Sequence, residues 1–273
     1  MYTGIGASAG IGIGFAVIVK EPSLAYDNKA VSDVDAEKKR LAEALDKCIA
    51  KTQAMADDMK ERVGEKEAEI LEGHVLLLMD PEMTGQMETS IADDKMCAEA
   101  AVEKICDYYM QMFSSIDDEM FQQRATDVCD IKTRLLKILL DVEDVDLANV
   151  PEGTVLVAED LTPSMTAGIN PKNVTGILTE VGGKTSHSAI LARALEIPAV
   201  LSIPGITEKI SNGDKVVLDG SEGQTYINPD EKLQAEYEQK RVAYLEEKSC
   251  PLLGLFGKET KKLQMVLRLN FVQ

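Results

Sequence analysis

The stretch FAVIVKE, Phe15 to Glu21, decides how this chain is organised. Its Val and Ile run reads as a β-strand. It stands far from the other strand-like runs, which begin only at Thr154. If it joins the sheet those later runs build, everything between them is an insertion within one α/β domain.

The intervening segment has a different texture. Residues 33–143 contain only Gly64, Gly73 and Gly85, whereas the first twenty residues contain five glycines. Leu41, Leu45, Cys48, Ile49, Thr52, Met55, Met59 and Val63 recur at helical spacing, with Ser32 or Asp33 placed to cap the start. Further apolar stripes run through Val102, Ile105, Cys106, Tyr109, Met112 and Phe113, and through Val128, Ile131, Leu135, Ile138 and Leu139. The segment reads as four or more helices in antiparallel hairpins. Pro81 should end or kink one of them.

From Val150 the pattern changes to short β-branched runs: TVLVAED (154–160), VTGILTE (174–180), IPAVLSI (197–203), DKVVLDG (214–220) and QTYINP (224–229). Turn signals such as Asn212-Gly213-Asp214 separate them. The fold class is therefore α/β with an inserted α block. Residues 230–248 are polar and glycine-free, which suggests an exposed connecting helix.

Composition narrows the function classes. The formal net charge is -18 over 273 residues, with 45% hydrophobic residues. Such an acidic chain argues against binding nucleic acid or an anionic membrane, and favours a basic protein surface as partner. Residues 33–143 alone carry 27 Asp and Glu against 14 Lys and Arg. No apolar run reaches membrane-spanning length, and the N-terminus lacks signal-peptide order. Five cysteines without a Cys-x-x-Cys pair suggest neither a disulfide framework nor a zinc site, so a cytoplasmic, reducing setting is expected.

Two stretches invite a nucleotide reading. Gly4-x-Gly6-x-x-Ala9 is a relaxed dinucleotide fingerprint, but only three residues precede it and glycines crowd the helix that should follow. It reads instead as a glycine-rich turn leading into a strand. Gly183-Lys184-Thr185 imitates the end of a P-loop, but the required upstream glycine position holds Leu178.

The histidine in GGKTSHSAILAR (182–193) gives that stretch another meaning. A strand ends, Gly182 and Gly183 turn the chain, and a helix begins near Thr185 or Ser186. His187 then sits in the first helical turn, where unpaired amides and the helix dipole favour an anion. A neutral imidazole there can take a phosphoryl group as nucleophile. Thr185, Ser186 and backbone donors would surround its oxygens, and Lys184 would steady charge in transfer.

GGKTSHSAILARALEIPAV resembles the phosphohistidine signature of phosphoenolpyruvate-utilising enzymes. With GIGASAGIGIGFAVI, EKEAEILEGHVLLLMDPEM (65–83), RATDVCDI (124–131) and DLTPSMTA (160–167), residues 1 to about 260 resemble Enzyme I of the bacterial phosphotransferase system. The resemblance implies a swivelling phosphohistidine α/β domain (1–22 and 144–229), an inserted helical domain (31–143), a linker helix (230–250) and a tail (251–273). It implies that His187 receives a phosphoryl group and passes it to the carrier protein HPr. It implies that Thr166 hydrogen-bonds His187, and that His74, Leu77, Glu82, Met83, Phe113, Met120, Phe121 and Arg124 form the HPr-docking face. A docking module without turnover, or a dikinase-like swivelling domain, are the alternatives.

In that family a barrel follows that binds phosphoenolpyruvate and magnesium and makes the dimer. This sequence stops at Gln273, so the expectations are no cofactor in this chain, a monomer, and no use of phosphoenolpyruvate alone. The ending KETKKLQMVLRLNFVQ (258–273) lacks a clear period. Read one base out of frame, its codons can spell TADGVEIELCAN, which resembles the start of that barrel. A frame shift and a divergent tail both remain open, and residues past about 250 are expected to be poorly anchored.

Overall fold

The computed structural model describes residues 1–249, and the readings made for the tail lie outside that range. An eight-stranded sheet has the order β1-β8-β7-β3-β4-β5-β6-β2. The strands are β1 (Tyr2–Thr3), β2 (Ile5–Ser8), β3 (Ile11–Ile18), β4 (Thr154–Ala158), β5 (Val174–Thr179), β6 (Ala199–Leu201), β7 (Lys215–Asp219) and β8 (Gln224–Ile227). β3, β4, β5 and β6 run parallel in succession, while β7 joins β3 antiparallel. Phe15 pairs with Thr154 and Ile18 with Val157, so the first long strand does join the later sheet and the helical block is an insertion.

Strand alternation supplies two cores. Leu156 and Ala158 face one apolar layer, shared with Ile177 and with Ala189 and Ala192 of a covering helix. Val155 and Val157 face the other, shared with Leu178, Ile203 and Ile206. β3 begins four residues before the expected strand and contains Gly12 and Gly14. The glycines fit because neighbouring backbone approaches there: a Cβ on Gly12 would lie 2.5 Å from the Thr175 carbonyl oxygen.

The insertion holds five helices: α1 (Val34–Arg62), α2 (Glu65–Leu78), α3 (Pro81–Asp94), α4 (Ala98–Ser114) and α5 (Glu119–Leu139). Asp33 caps α1 by accepting from the Ala36 N–H. Pro81 does not kink a helix; α2 stops at Leu78 and Pro81 starts α3 as its first residue. Asp80 caps α3, accepting from Glu82 N–H at 2.8 Å and Met83 N–H at 3.4 Å. Asp80→Ala is expected to lower stability by about 1 kcal/mol in urea titration, and a change indistinguishable from zero would contradict that role.

Four further helices belong to the sheet region: α6 (Pro163–Ala167), α7 (His187–Ala194), α8 (Ile206–Lys209) and α9 (Glu231–Ser249). A small cluster of Met59, Ala68 and Leu71 from the insertion with Ala167 and Leu191 joins the helical block to α6 and α7. Arg62, at the end of α1, reinforces the joint by donating to the Ala167 and Ile169 carbonyls. The expected exposed helix α9 is mostly exposed, but its Tyr237 is buried. The Tyr237 ring packs 5.3 Å from Tyr226, and its hydroxyl donates to Gln224. Helix α9 is thus docked on the sheet rather than free of it.

Candidate active site at the start of α7

The β5–α7 connection presents His187. Gly182 has φ of 111°, a conformation that L side chains rarely adopt, and Ser202 donates its hydroxyl to the Gly182 carbonyl. Gly183 is not sterically demanded, since an added Cβ would meet nothing within 4 Å. Ser186 is the N-cap: its hydroxyl accepts from Ala189 N–H and donates to the Gly183 carbonyl at 2.8 Å. His187 is the first residue of α7, so its amide and that of Ser188 stand ahead of the helical ladder. Arg193 braces the loop from behind, its Nη1 donating to the carbonyls of Lys184 at 2.9 Å and Ala7 at 3.1 Å.

The His187 side chain is only 10% exposed and sits between two clefts. One, of about 230 Å³, is polar and glycine-rich, with Gly182, Gly183, Thr185, Ser186, Asp160 and Gln122 among its walls. The other, of about 260 Å³, opens between α2 and α5 past Lys66, Glu69, Met120 and Arg124. Gln123 borders both and reaches the Thr185 carbonyl. Lys184 is exposed and is not among the walls of either cleft.

Electrostatics favour an unprotonated ring. Burial holds the His187 pKa below the ordinary histidine range, and the nearby Asp127 carboxylate opposes that shift without overcoming it. Asp127 Oδ1 lies 3.7 Å from His187 Nδ1. Asp160, in the polar cleft, accepts from Leu161 N–H at 2.8 Å, and burial pushes its carboxyl above the usual range.

Three sequence expectations fail here. Thr166 is fully buried, but its hydroxyl donates to the Thr162 and Pro163 carbonyls at 2.7 and 3.1 Å. Among the described residues no hydrogen bond links it to His187. His74 is fully buried, because it falls on the inward stripe of α2 with Leu71, Val75 and Leu78. It faces Asp127 and Arg134 rather than a docking surface. Met83 is buried for the same reason, on the α3 stripe with Met87 and Ile91. The remaining docking residues stay available in part. Met120, Glu82 and Arg124 are exposed; Leu77, Phe113 and Phe121 are half-buried, with the Phe113 and Phe121 rings 6.2 Å apart. Exposed Met79, Met112 and Ile116 lie at the same helix ends and were not placed on the docking face from sequence.

Asp127, Asp130 and Gln123 were also missed. Asp127, Asp130, Arg134 and Lys137 form a buried polar stripe along α5, beside the apolar stripe of Val128, Ile131 and Leu135. Their helical spacing was readable, but charged residues on a helix usually face water.

Residues 3–124 match the family described as PEP-utilising enzyme, N-terminal, and residues 150–223 match PEP-utilising enzyme, mobile domain. The chain is 36% identical to the solved Enzyme I structure nEIt, with a TM-score of 0.76, covering 89% of this chain and 99% of that one. The chain belongs to the Enzyme I family. It is also similar to the phosphoenolpyruvate-protein phosphotransferases of Bacillus sp. (strain S), 41% identical over 90% of this chain, and of Enterococcus faecalis, 39% identical over 91%. It spans 43% and 44% of the length of those two proteins. The N-terminal domain of Enzyme 1 - Nitrogen shares the fold at 23% identity and a TM-score of 0.57. The mobile-domain match spans β4, β5, β6 and β7 with α6, α7 and α8. Among the described residues no helix is long and apolar enough to cross a membrane.

Proposed function

We propose that this chain carries a phosphoryl group on His187 and exchanges it reversibly with the carrier protein HPr, as the phosphotransferase activity in its relatives' names suggests. The observation that carries the reading is a histidine held neutral by burial at the first position of α7, between a polar cleft and an opening lined by Lys66 and Arg124 together with Glu67, Glu69 and Asp127. A lone pair on one ring nitrogen attacks phosphorus. The N–P bond forms as the donor's bond to phosphorus breaks, and the other nitrogen keeps its proton.

Asp127 beside Nδ1 favours the proton there, which leaves Nε2 to attack. The amides at the start of α7, with the Ser188 hydroxyl nearby, suit the phosphoryl oxygens. The acidic helical block, with Met120, Met112 and Ile116 exposed at its end, suits a small partner with basic charge around an apolar centre.

Incubation with phosphorylated HPr tests the proposal. Label that moves onto the protein and back to fresh HPr is expected. A chain that binds HPr yet never takes label would make it a docking module instead.

The pH dependence follows from the same site. The neutral ring is the nucleophile, so exchange should hold until pH falls through the lowered His187 pKa, giving an acid limb below the free-histidine value near ~6.5. Asp127→Asn removes the charge that raises this pKa, so the limb should move to still lower pH while the rate above it falls about tenfold. A limb that moves upward would contradict the assignment.

A further inference from the structure

Helix α6 is gripped at both ends by the helical insertion. At its start, Asp130 on α5 accepts from the Ser164 hydroxyl at 2.6 Å and from the Ser164 N–H at 3.2 Å, one bond to each carboxylate oxygen. Ser164 gives its only hydroxyl hydrogen to Asp130, so it accepts from the Thr162 hydroxyl 3.1 Å away. At the other end, Arg62 on α1 donates to the Ala167 and Ile169 carbonyls.

The Asp130 contact is the one that cannot be exchanged for water. Gln123 reaches the Thr185 carbonyl at 3.4 Å from a half-buried position, and the Arg62 side chain is 33% exposed. Asp130 is 1% exposed. Its neighbours within the insertion do not replace Ser164. Arg134 Nε lies 3.7 Å from Oδ2, and His74 Nδ1, at 3.5 Å, already accepts from Arg134 Nη2. Moving α6 away would leave a buried carboxylate short of two hydrogen bonds. The junction is therefore either made or broken, with no partly open arrangement of low cost. Helix α6 carries this constraint to α7, because Ala167 and Leu191 share one apolar cluster with Met59, Ala68 and Leu71.

We propose that Asp130 is a positioning residue for phosphoryl transfer: by holding Ser164 it fixes α6 and α7 against the insertion, and so presents His187 to a partner docked there. The inference rests on His187 exchanging a phosphoryl group with HPr. Asp130 acts through Ser164 and not by contact with the group transferred.

Two phosphoryl donors and one orientation measurement test it on the full chain. Ser164→Ala removes the shorter bond. With phosphorylated HPr its limiting rate of labelling should fall about tenfold with KM unchanged, because only the fraction of molecules with the junction made can transfer. With phosphoramidate, a small donor that needs no docked protein, it should be labelled at least as fast as wild type. Residual dipolar couplings of α1–α5 and of the sheet should fit one alignment tensor in wild type and require two in Ser164→Ala. Ser164→Thr keeps the hydroxyl, borders a cleft of about 130 Å³ with room for its methyl, and should behave as wild type. A Ser164→Ala protein with the wild-type rate and a single tensor would overturn the proposal, as would a wild type that already needs two. Equal losses with both donors would also overturn it, by placing the effect in the site itself. If Ser164→Ala does not fold, Asp130→Asn decides in its place, since it loses one acceptor oxygen at constant volume: an unchanged rate and a single tensor there overturn the proposal. A wild type that takes label from neither donor would defeat the carrier reading instead, while the couplings still report whether Asp130 fixes the junction.

Discussion

His187→Ala is expected to lower phosphoryl exchange with HPr by about 10⁴-fold or more, to background, while urea unfolding shifts little. The size follows from the chemistry. Removing the nucleophile of a covalent transfer removes the intermediate itself, and none of the groups around it is placed to substitute. Ser186 is committed as cap and donor within its loop. His74 is sealed in the helical block and occupied on both ring nitrogens. The stability of the variant should stay close to wild type because the ring makes no hydrogen bond within the described residues beyond its approach to Asp127. HPr binding should also persist, since the exposed residues at the helix ends are untouched. Exchange that survives at a tenth of the wild-type rate would mean that another residue carries the group.

A large effect on folding is expected at Gly14. A Cβ there would lie 2.0 Å from the Gly153 carbonyl oxygen and 2.6 Å from the Thr175 hydroxyl. The first of these is a backbone atom and cannot turn away. Gly14 also sits in β3, hydrogen-bonded to β7 on one side and adjoining β4 on the other, so the strand cannot shift without disturbing both pairings. Gly14→Ala should therefore cost about 3 kcal/mol or more, through strain rather than through lost contacts. Gly85→Ala is the matched control: it lies in α3 with nothing within 4 Å of the added Cβ, and should be neutral or slightly stabilising. Urea midpoints of the two variants check this, and a Gly14→Ala midpoint within error of wild type would show that β3 is not packed as described.

That glycine also shows where the sequence was hard to read. Residues 174–180 were legible as a strand because Val, Thr and Ile outnumber everything else, and β5 occupies Val174–Thr179. β3 was half hidden, because Gly12 and Gly14 argue against a strand until the close approach of Thr175 and Gly153 is known. Helices α6 and α8 span five and four residues, too short for a periodic signal. Helix α9 looked detached because its composition is polar, and one buried Tyr237 is invisible to a periodic count.

The site was legible around His187 and misread farther out. Ser186 and the glycines before it announce a loop that opens a helix, and that is local information. His74 and Met83 were assigned to the docking face by resemblance, although their spacing from Leu71 and Leu78, and from Met87 and Ile91, already placed them inward. Asp127 was hidden for a different reason. Its importance comes from facing α2 and α7 at once, a tertiary fact that no spacing along α5 conveys.

The most direct test of the central claim is intact-mass and peptide mapping of the protein after exposure to excess phosphorylated HPr, kept alkaline to preserve phosphohistidine. A single acid-labile addition of about 80 Da, located on the peptide that contains His187, is the predicted result. A mass that never changes, or a group located on another residue, would contradict it.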